Sequence, residues 1–341
     1  MIHRCSNSCV HAYIYAWTVM VIMCITCYSC TSDVRYVMAF PVEEQLAGSH
    51  IKHLDTMYTS YSVTKLSDKY VFGIKKDEYL FCVYDDSLNF MYKMMRYGKG
   101  HDEWIAPVPT GQMLQLEGKT YASFLERKNN VLYAVSLEDS SSLPVKVEDF
   151  NQTKLYETSN IYCIEDYLYI GTCLQTQCDI VLHNAKNQDV TVLQPKAMSS
   201  DLFVTNPFEL SQTLTTYSDK RKTLAIAYFN FPRINIISTD GTQNITLQVG
   251  NHMPQYTDHD FQEPYYYFID ICSTDNKIYA LYDNPEKPDE MSILVFDWDA
   301  NPIARYHTPR LVCFTVDEDN NRFIAQVEDD THGTWFELKM P

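Results

Sequence analysis

The sequence lacks most of what marks a catalytic or nucleic-acid-binding chain. It has no Gly-x-Ser-x-Gly nucleophile elbow, no His-Glu-x-x-His zinc helix and no Gly-x-x-x-x-Gly-Lys-Ser/Thr phosphate loop. Positive charge is scarce as well: 27 Lys and Arg stand against 44 Asp and Glu, a formal charge of −17. Phosphate backbones are bound by clustered basic side chains that displace counterions, so nucleic-acid binding is excluded. The acidic surface serves solubility in the first place. Beyond residue 33 no amphipathic helix of useful length is present, and no Gly/Ser/Pro-rich linker interrupts the chain. Two domains are therefore disfavoured despite a length of 341 residues. Glycine is also sparse, at 10 residues, whereas tyrosine numbers 26. Tyrosine with Val, Ile, Thr and Phe favours pleated, half-buried strands.

What the chain does contain begins with an uncharged amino-terminal stretch from Cys5 to Ser32 that follows Arg4. A weakly positive start and an apolar run ending in small residues reads as an export signal. Two competitors remain: an uncleaved spanning helix, and a partial iron–sulfur ligand run, Cys24-x-x-Cys27-x-x-Cys30, which lacks a fourth ligand. Of the eleven cysteines, six lie in the body at Cys82, Cys163, Cys173, Cys178, Cys272 and Cys313. Several sit in apolar alternation, where cysteine behaves as a small buried hydrophobe. Mostly reduced thiols are expected, with Cys173 and Cys178 the pair to check.

From residue 34 onward a short strand, a tight polar turn and a second strand recur. The turns read Ser67-Asp68-Lys69, Glu117-Gly118-Lys119, Glu165-Asp166, Ser218-Asp219-Lys220, Asp275-Asn276-Lys277 and Asp319-Asn320-Asn321. Their spacing of roughly 45–55 residues suits one four-stranded blade and signals a propeller. Third strands such as Tyr79–Asp86 and Ile293–Asn301 end in Asp-, Asn- or Gly-rich hairpins. The expected fold is all-β: a six-bladed β-propeller of four-stranded antiparallel blades, occupying 31–341 behind a signal and anchor segment at 1–30. An N-terminal strand is expected to complete the last blade, and Val34–Phe40 is the segment read as that strand. Closure of this kind removes exposed sheet edges.

Two stretches carry a family resemblance. Cys27-Tyr28-Ser29-Cys30 resembles a bacterial lipobox, with Ser29 at the small position and Cys30 at the lipidated one, although Cys27 replaces the usual Leu or Val. Tyr97-Gly98-Lys99-Gly100-His101-Asp102-Glu103-Trp104 resembles the Gly-x-Gly-Pro-Gly-Glu-aromatic signature of the bacterial six-bladed, TolB-like propeller lipoproteins. Gly98, Gly100, Glu103 and Trp104 match, and His101 and Asp102 depart from it. The segment from Ile293 to Asn321 is similar to a second stretch of that family. The resemblance implies a lipid-anchored envelope propeller, facing periplasm or cell surface, and implies no reaction. Read from the residues alone, Gly98 and Gly100 form a turn whose glycines allow positive φ, with Trp104 packing between blades.

The candidate ligand face is the link before the fifth blade, where His252, Tyr256, Asp258, His259, Asp260 and Tyr265 gather. Such groups could stack and hydrogen-bond a sugar or hold a divalent metal; a solvated inter-blade loop is the bland alternative. Asp317-x-Asp319-x-Asn321 with Glu328 has calcium-loop oxygen spacing, but Arg322 stands where the sharp turn needs glycine. No catalytic residue, metal or cofactor is assigned. The expected function is a binding platform at the cell envelope, monomeric and membrane-anchored, for an unknown glycan, peptide or envelope protein. The alternative is a calcium-dependent lactonase or esterase-like hydrolase using carboxylates from several blades in the central channel.

Overall fold

Each of the six polar turns closes a hairpin between the first and second strands of a blade. With few glycines to spend, the chain puts other residues in the left-handed region at these corners: Ser67 (φ 58°), Glu117 (φ 51°), Tyr167 (φ 64°), Lys222 (φ 50°) and Asn321 (φ 50°). A non-glycine residue there costs about 1–2 kcal/mol, so the packing of the blades must fix these turns. The computed structural model describes residues 34–54, 60–75, 77–100, 102–139, 142–152, 158–173, 179–193, 212–251, 253–254, 265–284, 287, 291–328 and 334–340.

Six sheets result, each built on an antiparallel blade. Blade one holds Ser60–Leu66, Lys69–Ile74, Tyr79–Asp85 and Phe90–Arg96; blade two holds Pro107–Leu116, Lys119–Glu126, Val131–Val135 and Val145–Asp149. Blade three holds Thr158–Glu165, Leu168–Cys173, Asp179–Asn184 and Asp189–Leu193; blade four holds Thr213–Ser218, Thr223–Tyr228, Arg233–Ser238 and Asn244–Val249. Blade five holds Phe268–Ser273, Lys277–Asp283, Met291–Asp297 and Pro302–Thr308; blade six holds Leu311–Asp317, Arg322–Val327 and Thr334–Lys339. The β-propeller expected from the turn spacing is the fold observed.

The closing strand is an N-terminal one, but not the one expected. Gly48–His50 pairs antiparallel with Thr334–Lys339 and completes blade six. Val34–Val37 instead lies parallel to Asn244–Val249 on the outer edge of blade four, and Val42–Gln45 lies parallel to Pro302–Thr308 on blade five. The segment thus straps the outer edges of three consecutive blades. Val34–Phe40 carries the stronger β-forming residues, yet an unpaired sheet edge accepts any strand that reaches it. Gly48 suits the closure by close approach: a Cβ there would stand 2.6 Å from Leu338 Cδ2.

The core is divided among the blade interfaces. Phe81, Phe124 and Trp104 fill the wedge between blades one and two, and Leu125, Phe150 and Tyr169 that between two and three. Phe72, Ile324 and Trp335 join blade six back to blade one, with the Phe72 and Trp335 rings edge-on at 4.8 Å. That closing interface also holds an ion cluster. The Asp317 carboxylate, with a side chain 0% exposed, is 2.7 Å from Lys65 Nζ and 3.0 Å from Arg322 Nε. It also accepts hydrogen bonds from the Tyr70 hydroxyl and from Asn320 Nδ2, the latter at 2.8 Å. Burial pushes the Asp317 pKa up, but hydrogen bonds from Lys65, Tyr70, Asn320 and Arg322 outweigh it and hold the carboxyl well below the usual range. Asp317 is therefore a closure anchor surrounded by donors, which explains the calcium-like spacing without calcium.

Cys82, Cys163, Cys272 and Cys313 are free thiols. Cys178 lies outside the described residues.

Candidate functional site

The first strands of all six blades surround a central cavity of ≈ 340 Å³. Alternation alone would point every second side chain of these strands inward. Five of the six inner strands depart from it, with register irregularities between Ser60 and Ser62, Pro109 and Met113, Thr158 and Asn160, Phe268 and Asp270, and Leu311 and Cys313. A bulge re-aims the side chains that follow it. Asn160 and Asp270 each come directly after such an unpaired residue, and both line the cavity.

Asp270 is the one carboxylate among the described residues of the lining. Its oxygens accept backbone N–H bonds from Ile271 at 2.8 Å and, across the blade interface, from Phe314 at 3.1 Å. Burial pushes its pKa up to about 7, and these two amides only partly offset that rise. Asn160 donates to the Tyr162 hydroxyl at 2.8 Å, which in turn donates to the Thr215 carbonyl at 2.7 Å. The Tyr217 ring stacks on Tyr162 at 5.4 Å. The buried hydroxyls of Tyr217 and Thr213 line the cavity with no hydrogen-bond partner among the described residues. Arg127, which follows the second strand of blade two, brings a guanidinium to the same lining. Burial lowers its pKa, an effect that the phenols of Tyr162 and Tyr61 partly offset. No group of three His, Cys, Asp or Glu side chains able to hold a metal occurs among the described residues.

The Gly98–Trp104 motif lies just ahead of the inner strand of blade two, Pro107–Leu116, and its glycines serve a different purpose from the one expected. Neither Gly98 nor Gly100 is in the left-handed region. They are small so that the loop can wrap the Glu103 carboxylate: a Cβ on Gly98 would stand 1.9 Å from Glu103 Oε2, and one on Gly100 3.0 Å from it. The Gly100 amide donates to Glu103 Oε2 at 2.7 Å. The loop closes through Gly98 N–H to the Trp104 carbonyl at 3.0 Å and Trp104 N–H to the Arg96 carbonyl at 2.9 Å. Trp104 is buried against Phe81, Phe124 and Val135, with the Tyr133 ring edge-on at 4.8 Å.

Of the residues singled out for a ligand face, Tyr265 is exposed on the surface. His252, Tyr256, Asp258, His259 and Asp260 lie outside the described residues, as does Cys30. The sequence reading missed Arg127, Asn160 and Asp270. One signal for Asp270 was available: a lone acid inside the apolar inner strand Phe268-Ile269-Asp270-Ile271-Cys272.

No protein-family model matches the chain, and no curated protein matches it. Among solved structures it is similar to a protein described as exported from Bacteroides fragilis NCTC 9343, with a TM-score of 0.52 at 11% identity, covering 90% of this chain and 99% of that one. A streptogramin B lyase follows at TM-score 0.48 and 10% identity, covering 87% of this chain and 97% of that one. Regucalcin, a calcium-binding protein from Agrobacterium tumefaciens str. C58, has TM-score 0.46 at 13% identity, covering 88% and 97%. At these identities the likeness is one of fold, a β-propeller spanning nearly all of the described chain.

Proposed function

We propose that this chain is an exported, lipid-anchored envelope protein of the TolB-like propeller kind, with residues 1–30 as signal and anchor and 31–341 as a binding platform. The observation that supports a binding role is the character of the channel wall. It offers separate hydrogen-bonding groups, including two buried hydroxyls without a protein partner among the described residues, around one carboxylate whose oxygens already accept backbone amides. Such a lining is built to hold the polar edges of a ligand, since a buried hydroxyl left unpaired costs about 1–3 kcal/mol. A calcium-dependent hydrolase needs several carboxylates converging from different blades, and Asp270 is the one acid among the described channel residues.

A glycan and peptide panel against the full chain tests the role. Hits weakened by Asn160→Ala support it, whereas turnover of a lactone or ester abolished by Asp270→Asn would refute it. The link carrying His252, Tyr256, Asp258, His259, Asp260 and Tyr265 remains a second proposed contributor, checked by alanine substitution against the same hits. Export and anchoring rest on the lipobox-like end at Cys30 and are tested by palmitate labelling and fractionation. Label that survives in Cys30→Ala removes the anchor.

A further inference from the structure

Next to the central channel, between blades one and two, lies a second cavity of ≈ 530 Å³. It shares Tyr61, Pro107, Val108 and Arg127 with the channel, so the two form one continuous depression. Its volume falls within the range of small-molecule sites, roughly 300–1,000 Å³. The walls are largely apolar, from Ile74, Leu80, Ile105 and Pro107, and two exposed tyrosines, Tyr61 (37%) and Tyr97 (57%), border it. On a protein of charge −17 the ionic balance here is reversed. Arg127 and Lys75 line the groove, with Lys75 Nζ 4.9 Å above the Tyr61 ring. The one acid of the described lining, Asp77, is in an ion pair with Lys93 at 2.6 Å.

The Gly-x-Gly…Glu-aromatic motif connects two sides of this groove, with Tyr97 before it and Ile105 after it both in the lining. It bridges Tyr97 to Trp104, setting one rim, and leads directly into the wall Ile105–Val108. That wall is fixed from behind by the buried Glu126 carboxylate, which accepts the amides of Ile105 at 3.1 Å and Ala106 at 3.0 Å. The next residue along the strand is Arg127.

We infer that this groove is a ligand subsite for a small organic anion, a carboxylate joined to a ring with an apolar face, with Arg127 taking the carboxylate and Tyr61 and Tyr97 the ring. A guanidinium presents a planar donor fork that matches a carboxylate. Tyrosine faces supply a rigid surface for an aromatic or a sugar ring. The inference rests on the binding role proposed above and names the chemistry bound.

The test uses the full chain in detergent and two matched probe pairs, phenylacetate against phenylacetamide and galacturonate against galactose, titrated by calorimetry. In at least one pair the acid is expected to bind at least fivefold tighter than its neutral partner, and the responding pair tells an aromatic acid from a sugar acid. Arg127→Gln is expected to erase that preference with the neutral partner's affinity unchanged, while Arg127→Lys keeps part of it. Tyr61→Ala with Tyr97→Ala weakens both members of the pair. On the unaltered protein, raising salt from 50 to 500 mM weakens only the acid, a readout independent of any variant's folding. Absence of binding by both acids, equal affinity within a pair, or a preference that survives Arg127→Gln in a folded variant overturns the inference. If the acids fail while neutral glycans or peptides bind in an Asn160-dependent way, the platform stands and this subsite does not. If nothing binds, both fall.

Discussion

Removal of the Asp317 carboxylate tests how the propeller is closed. The side chain is wholly buried, and the partners it would abandon, Lys65 and Arg322, have side chains only 12% and 13% exposed. Breaking a buried pair from one side typically costs 3–5 kcal/mol, because the remaining charge is stranded. Here Lys65 keeps Asp86 at 2.7 Å and Arg322 keeps Glu337 at 3.3 Å, so Asp317→Ala should fall at the lower end, about 3 kcal/mol. With an unfolding entropy of about 2.1 cal/mol/K per residue over about 300 residues, that is a fall in Tm of about 5 °C. Calorimetry at pH 7 measures it. The folded-state pKa of Asp317 is depressed, so its contribution is complete above the ordinary carboxylate value of 3.8 and fades as pH falls through the folded value. The gap between wild type and variant should stay constant above about pH 5 and narrow below about pH 4. Replacing all three groups together, Asp317→Leu with Lys65→Met and Arg322→Met, should cost less than the single change. A Tm within about 1 °C of wild type, or a gap unchanged down to pH 2.5, would refute the clasp.

Three further outcomes are expected. Gly98→Ala displaces the Glu103 carboxylate from the Gly100 amide, a solvent-exposed hydrogen bond, and should cost about 1 kcal/mol. Because the clash needs Glu103, the cost in a Glu103→Ala background should be smaller, as a double-mutant cycle by denaturant unfolding would show. Asp270 has a folded-state pKa raised to about 7, so the stability it gives is complete below the ordinary value of 3.8 and is lost as pH rises through about 7. The Tm of Asp270→Asn relative to wild type should therefore climb between pH 4 and pH 8; a flat difference would contradict the burial of that group. Glu117 is exposed at φ 51° beside Gly118 at φ 76°, a turn with two left-handed residues that Asn-Gly fits. Glu117→Asn should stabilise by about 0.5–1 kcal/mol, read as a higher denaturation midpoint with an unchanged slope.

The blade count was legible because hairpins are local. Ser67-Asp68-Lys69 and Asp275-Asn276-Lys277 declare a turn within a few residues, and the flanking alternation declares its strands. The Gly98–Trp104 motif was visible too, but the reason for its glycines was not, since the carboxylate they surround takes its place only in the folded loop. Arg127, Asn160 and Asp270 were passed over for a related cause. What brings them to one cavity is the phase of three blades and the bulges that start their inner strands, and neither is written in any one segment.

The sequence by itself determined an all-β chain, a six-fold turn period and, from these, a closed ring of six blades, because alternation and turn chemistry act over distances of about ten residues. The tertiary structure alone decided that Gly48–His50 closes the ring while Val34–Val37 and Val42–Gln45 strap neighbouring blades in parallel. It also decided that Asp317 is an anchor held by Lys65, Tyr70, Asn320 and Arg322, and not a calcium ligand. Both outcomes depend on partners distant in sequence: Gly48 pairs with Leu338, 290 residues further on, and Lys65 lies 252 residues before Asp317. An open sheet edge or a buried carboxylate is satisfied by whatever the closed ring delivers to it, and no local pattern records which residue that will be.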